Sequence, residues 1–87
     1  QLDYANKKIN GDSKLTTLSE KHKITMFILA QIQYFSSEDY ITVQELSKYL
    51  NTTSQTTRKL LNDLIFANIV EKIGERPVMY KAIEGYF

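Results

Sequence analysis

The 87 residues contain no cysteine and one histidine, His22. Without cysteine there is no disulfide framework, no thiolate nucleophile and no cysteine zinc site. With a single histidine, neither a two-histidine metal centre nor a Cys–His dyad can be assembled. His22 therefore reads as a solvated residue in the first turn of a helix. No apolar run approaches the roughly 20 residues of a membrane span, and no signal-peptide pattern is present. Neither a phosphate loop (Gly-x-x-x-x-Gly-Lys) nor a nucleophile elbow (Gly-x-Ser-x-Gly) occurs, and the carboxylates are scattered over polar faces. The expectation is a non-enzyme with no cofactor, no metal and no membrane partner, in the cytoplasm or on the nucleoid. Asn51-Thr52-Thr53 fits the glycosylation pattern by chance. The sequence opens on Gln1 rather than methionine, which fits a domain excised from a longer protein.

The length gives one domain with one modest core and little room for a buried cleft. An apolar share of 43% is ordinary for a globular chain and argues against wholesale disorder. The net charge of +1 is low beside the strongly basic balance common in nucleic-acid-binding domains. Its distribution is more telling. Residues 1–23 hold five lysines against Asp3, Asp12 and Glu20, a balance of +2. Residues 24–87 hold six basic side chains against seven acidic ones, a balance of −1. Within 46–63, Lys48, Arg58 and Lys59 face only Asp63. DNA, if bound, would meet a local basic surface on a near-neutral body.

Residues 1–14 are polar, with turn formers at Asn10-Gly11-Asp12, and read as a flexible N-terminal arm. The globular domain is expected over 15–87. Thr17-Leu18-Ser19-Glu20 matches a capping box and starts a first helix that runs to about Phe35. On a helical wheel Ile24, Ile28, Ile32 and Phe35 share an arc of about 80°, the expected core face. Met26, Phe27 and Leu29 lie outside it. A helix apolar on so many sides is usually covered on more than one face. The second cover is expected to be either the chain's own tail or another copy, the latter a homodimer through this helix and the arm.

Tyr40-Ile41-Thr42 reads as a stub strand. Thr42-Val43-Gln44-Glu45 is a second capping box, and Val43, Leu46, Ser47 and Leu50 keep one face of a second helix. Asn51 suits its left-handed end. Thr53 or Ser54 caps the third helix, over about 54–67. Thr57, Leu60, Leu61 and Leu64 form its dry stripe. Gln55, Lys59 and Asn62 occupy the opposite face, flanked by Arg58 and Thr56. Amide, guanidinium, ammonium and hydroxyl groups are the ones that read base edges and hold phosphates. Asn68 ends the helix. Residues 69–73 and 78–83 alternate as two strands around the turn Gly74-Glu75-Arg76-Pro77, a hairpin. The fold class is thus mainly α with a small β-hairpin.

The stretch 46–72 resembles the helix-turn-helix core of winged-helix regulators of the MarR type. Leu46 and Leu50 stand at its anchor positions, and Thr53, Thr56 and Thr57 at its polar helix start. Leu60, Leu61 and Leu64 stand at its stripe, and Ala67-Asn68-Ile69-Val70-Glu71-Lys72 at its exit. Residues 74–81 look like the wing, and the whole resemblance covers about 17–83. It implies a three-helix winged helix-turn-helix that binds double-stranded DNA as a transcriptional regulator, with the 54–67 helix in the major groove. Ser54, Gln55, Thr56 and Lys59 would lie near bases, Arg58 on base or phosphate, and Asn62 on the same DNA-binding face. Arg76 at the wing tip would reach the minor groove or a phosphate, with Lys72 and Lys81 beside it. Ile65 and Phe66 stand where charged residues are common, so a further surface is expected to cover them. They support the alternative reading, a winged helix used for protein contacts within a larger replication, transcription or partition protein.

Overall fold

A third of the way along the chain lies a helix too apolar to be covered from one side, and the other elements are disposed around it. The computed structural model describes residues 2–87. In chain order these form α1 (Leu2–Gly11), α2 (Ser13–Thr16), α3 (Glu20–Phe35), β1 (Ile41–Thr42), α4 (Val43–Leu50), α5 (Ser54–Phe66), β2 (Val70–Ile73) and β3 (Met79–Ala82). The architecture is mainly helical with one small antiparallel sheet of three strands in the order β1-β3-β2.

The stretch expected as a flexible arm is instead helical and docked, so five helices stand where three were expected. Helix α1 packs on α3 and buries Ala5 and Ile9. Two buried positions in three turns are too few to leave a periodic signal, which is why the segment reads as polar. Asp12 then caps α2 by accepting the Lys14 N–H at 2.8 Å. The tail completes this side. Tyr86 donates its hydroxyl to Asp12 Oδ2 at 2.5 Å, Lys8 Nζ lies 4.8 Å from its ring centre, and the Phe87 ring meets Tyr86 edge-on at 4.9 Å.

Three expectations for α3 need correction. Its cap is Ser19, not Thr17, because Thr17 is spent at the end of α2, where its hydroxyl donates to the Lys14 carbonyl. The partner in the box is His22, not Glu20: the Ser19 N–H donates to His22 Nδ1 at 3.1 Å. The core face is also turned. His22, Thr25, Met26, Leu29 and Ala30 are buried, whereas Ile24 and Phe35 are 43% and 68% exposed. Ile28 and Ile32 are partly buried at the margin. Periodicity alone could not choose among the apolar sides of this helix. The choice falls to its neighbours, α1 on one flank and α4, α5 and β3 on the other.

His22 is thereby a buried bridge rather than a solvated residue. With Nδ1 accepting from Ser19, the ring hydrogen lies on Nε2, which sits 2.9 Å from Asp63 Oδ2 of α5. No buried side-chain nitrogen or oxygen among the described residues lacks a partner.

The second half follows its local signals. Thr42 and Glu45 form the expected reciprocal box. Asn51 and Asn68 both take the left-handed conformation, at φ 54° and 64°. Beyond each, an N–H returns to a carbonyl five residues back, Thr52 to Ser47 and Ile69 to Leu64, both at 3.1 Å, the Schellman ending of a helix. Thr57, Leu60, Leu61 and Leu64 are the buried residues of α5, as the wheel predicts. In the hairpin, Val70 pairs with Ala82 and Lys72 with Tyr80, and β1 adds Ile41 opposite Tyr80. Gly74 holds a left-handed φ of 71° in the turn, where an added Cβ would lie 3.3 Å from the Pro77 carbonyl oxygen.

Two stability experiments follow. His22→Ala strands Asp63 and opens the α3 cap, an expected loss of about 1–3 kcal/mol in urea unfolding. In a double-mutant cycle with Asp63→Ala, the two losses should fail to add by at least ~0.5 kcal/mol. Burial, reinforced by the bond to Asp12, raises the Tyr86 phenol pKa above its ordinary value of 10.0. The folded state then holds a proton that the unfolded state releases. This stabilisation is complete below the unfolded pKa and is lost as pH rises from there through the folded value. Tyr86→Phe should flatten the fall in melting temperature above about pH 10.

Candidate nucleic-acid interface

Helix α5 is held at both ends. Thr53 Oγ1 accepts the Thr56 N–H at 3.1 Å. Ser47 Oγ donates to Thr57 Oγ1 at 2.7 Å, and Thr57 Oγ1 donates to the Thr53 carbonyl at 2.9 Å. Thr57 is fully buried, so this hydroxyl chain ties the last turn of α4 to the first turn of α5 within the core. Towards its other end, the contact of Asp63 with His22 fixes α5 against α3. The outward face of α5 is thus presented from a rigid support.

Ser54, Gln55, Arg58, Lys59 and Asn62 are all exposed. Thr56 is half-buried, and its hydroxyl accepts from Thr53 Oγ1, so it serves the cap. The first turn of α5 carries no acidic side chain. Its leading backbone N–H groups have no acceptors within the helix and bring partial positive charge. The one carboxylate of the helix, Asp63, is held by His22. What remains outward is cationic or neutral.

Two ridges at i, i+4 spacing divide this face. Gln55 and Lys59 form one. Arg58 and Asn62 form the other, and they line a groove with Gln44 of α4 and Lys72, Val78 and Tyr80 of the hairpin. The groove brings α5, the start of α4 and the hairpin together. Lys72 reaches it because it pairs across the strands with Tyr80 on the sheet face turned to the helices. Arg76 is exposed in the turn beyond it. Among the described residues, Arg58, Lys59, Lys72 and Arg76 form no ion pair.

Lys81 differs from the expectation. Its Nζ lies 3.1 Å from Asp39 Oδ2, and this bond holds its pKa above the ordinary value. It faces away from the groove and is committed to the turn after α3. Gln44 escaped the sequence reading, although the Thr42–Glu45 box already places it in the exposed first turn of α4. The role of His22 was missed too. The spacing Ser19-x-x-His22 is that of a capping box with histidine in place of glutamate, and it was the available signal.

Phe66 is 94% exposed, and the tail does not cover it. Ile65 is half-buried against the core. Beside Phe66 lies a shallow depression lined by Lys14, Thr17, Leu18, Asp63 and Ala67.

No family model, curated protein or solved structure matches this chain.

Proposed function

We propose that the chain is a winged helix-turn-helix that binds double-stranded DNA, as a transcriptional regulator, with α5 in the major groove and the β2–β3 hairpin as the wing. The observation that carries this reading is the outward face of α5. It is a rigid helical surface of amides, hydroxyl and cations, with its only carboxylate turned away and a lysine of the hairpin alongside. An α-helix fits the major groove, and the N-terminal part of a recognition helix meets the bases. Gln55 and Lys59 are suited to base edges, with Ser54 at the helix start. Arg58 and Lys72 are suited to phosphates on either side of the groove that Asn62 and Gln44 share, and Arg76 to the minor groove or a phosphate beyond. The order of elements supports the same reading, since β1 precedes α4 directly and closes the hairpin into a three-stranded sheet.

The test is fluorescence anisotropy on labelled random duplexes. Wild type should bind at low salt, with a log–log salt slope of roughly −4 to −5 per monomer from about 4–6 phosphate contacts. Gln55→Ala with Lys59→Ala should abolish preference among duplexes. Lys72→Ala should weaken all duplexes alike and reduce the slope by about one, whereas Lys81→Ala should leave it unchanged. A wild type with no measurable duplex affinity at low salt rejects the proposal.

Phe66 supports a second reading, a winged helix used for protein contacts. Its exposed phenyl ring, with Leu18 and Ala67 in the depression beside it, offers a partner an apolar contact. Capture of a protein partner that Phe66→Ser abolishes, while the Gln55/Lys59 double variant retains it, would favour that reading.

A further inference from the structure

A cavity of about 540 Å³ opens between the end of α3, β1, α4 and the hairpin, a size that takes a small organic molecule. It shares only Pro77 with the groove beside α5. Two of its walls each supply a carboxylate and a tyrosine. Glu38 and Tyr40 come from the loop between α3 and β1, and Glu45 and Tyr49 come from α4, where they lie one turn apart on one side of the helix. Ile32, Ile41 and Met79 add apolar surface, and no lysine, arginine or histidine lines the cavity. Both carboxylates are anchored through one oxygen. Glu38 Oε2 accepts from the Tyr40 hydroxyl. Glu45 Oε1 accepts the Thr42 N–H at 3.0 Å and the Thr42 hydroxyl at 3.1 Å. Among the described residues, Glu38 Oε1 and Glu45 Oε2 accept no hydrogen bond, and neither carboxylate has a cationic partner. The cation nearest in sequence to this loop's pairing, Lys81, is taken by Asp39. The phenol of Tyr40 titrates above its ordinary value, chiefly because Glu38 accepts from it and repels a phenolate, with Asp39 and Glu45 adding to the repulsion. A field that keeps this proton in place also favours a cation.

We propose that this cavity binds a small organic cation, an ammonium group carried on an apolar body. Tyrosine ring faces attract such a cation within about 6 Å of their centres, and Tyr40 and Tyr49 provide two of them. The open oxygens of Glu38 and Glu45 supply the opposite charge. Ile32, Ile41 and Met79 meet the apolar body. Two exposed carboxylates alone would hold any cation weakly. The rings and the apolar wall are what select an organic ammonium. A bare metal ion would want a cage of oxygen ligands, and no group of three metal-ligating side chains gathers among the described residues. The carboxylates also repel phosphates, so the cavity stands apart from the α5 face. The proposal is independent of DNA binding.

The test is an NMR titration of amide shifts with benzyltrimethylammonium, set against benzyl alcohol and benzoate as neutral and anionic counterparts. The cation should saturate with a Kd of roughly 0.1–5 mM, as a ligand this small allows. Its shifts should gather at Glu38, Tyr40, Glu45, Tyr49 and Met79. The two counterparts should bind at least ~10-fold more weakly. Glu38→Gln with Glu45→Gln should weaken the cation at least ~10-fold. The fold should survive, because glutamine still accepts from Tyr40 and still completes the capping box with Thr42. Glu20→Gln with Glu84→Gln removes the same charge from exposed sites outside the cavity and should change the Kd by less than ~2-fold. Tyr49→Leu keeps an apolar side chain but loses the ring, and should weaken binding about 3-fold. Shifts at these residues that fail to saturate by roughly 20 mM overturn the proposal. So does benzyl alcohol or benzoate binding as tightly as the cation, or a Glu38/Glu45 double variant that binds like wild type.

Discussion

The structure depends on a problem of coverage. Helix α3 has apolar residues around most of its circumference, and a chain of this length can cover only part of it. One flank is covered by α1, the other by α4, α5 and the sheet. The polar N-terminal segment becomes a helix because two of its residues, Ala5 and Ile9, fit the flank of α3 that the rest of the chain leaves open. Burying them is worth a few kcal/mol at most, which is modest beside the conformational entropy of ordering ten residues. The bond and the stacking from Tyr86 to α1 and α2 therefore contribute to holding the segment in place.

The interior also sets the electrostatics of the surface. Helix α5 carries one carboxylate, Asp63. It is held by His22, whose other nitrogen is fixed by the Ser19 N–H. One imidazole thus caps one helix and holds a side chain of another. The same economy appears at Thr57, whose hydroxyl both donates to Thr53 and accepts from Ser47, joining α4 to α5.

From Thr42 onward the fold was legible in the sequence, because its punctuation is short-range. Thr42 with Glu45, Asn51, Thr53 and Asn68 each mark a helix end within a few residues, and the hairpin turn is equally local. The outward residues of α5 could be read in the same way, because one dry stripe fixes the opposite face. In the first half the span of α3 to Phe35 was legible, but its buried face and the helix before it were not. The wheel of α3 offers several apolar faces, and only distant partners select among them. The contact between His22 and Asp63 spans 41 residues, and the pairing of Lys81 with Asp39 spans 42. No window of local sequence contains such a pair. Gln44 was missed because a groove is a property of three elements together.

The tie between Tyr86 and Asp12 spans 74 residues, nearly the length of the chain. Closing so long a loop carries a high entropic cost, and it can be met only after α3, α5 and the hairpin have made the surface on which α1 and the tail lie. The helices and hairpin of the second half can form from local contacts, whereas this seam must wait for the whole. The tie therefore makes the first helix and the tail depend on each other: removing the Tyr86 ring takes away a contact of both at once.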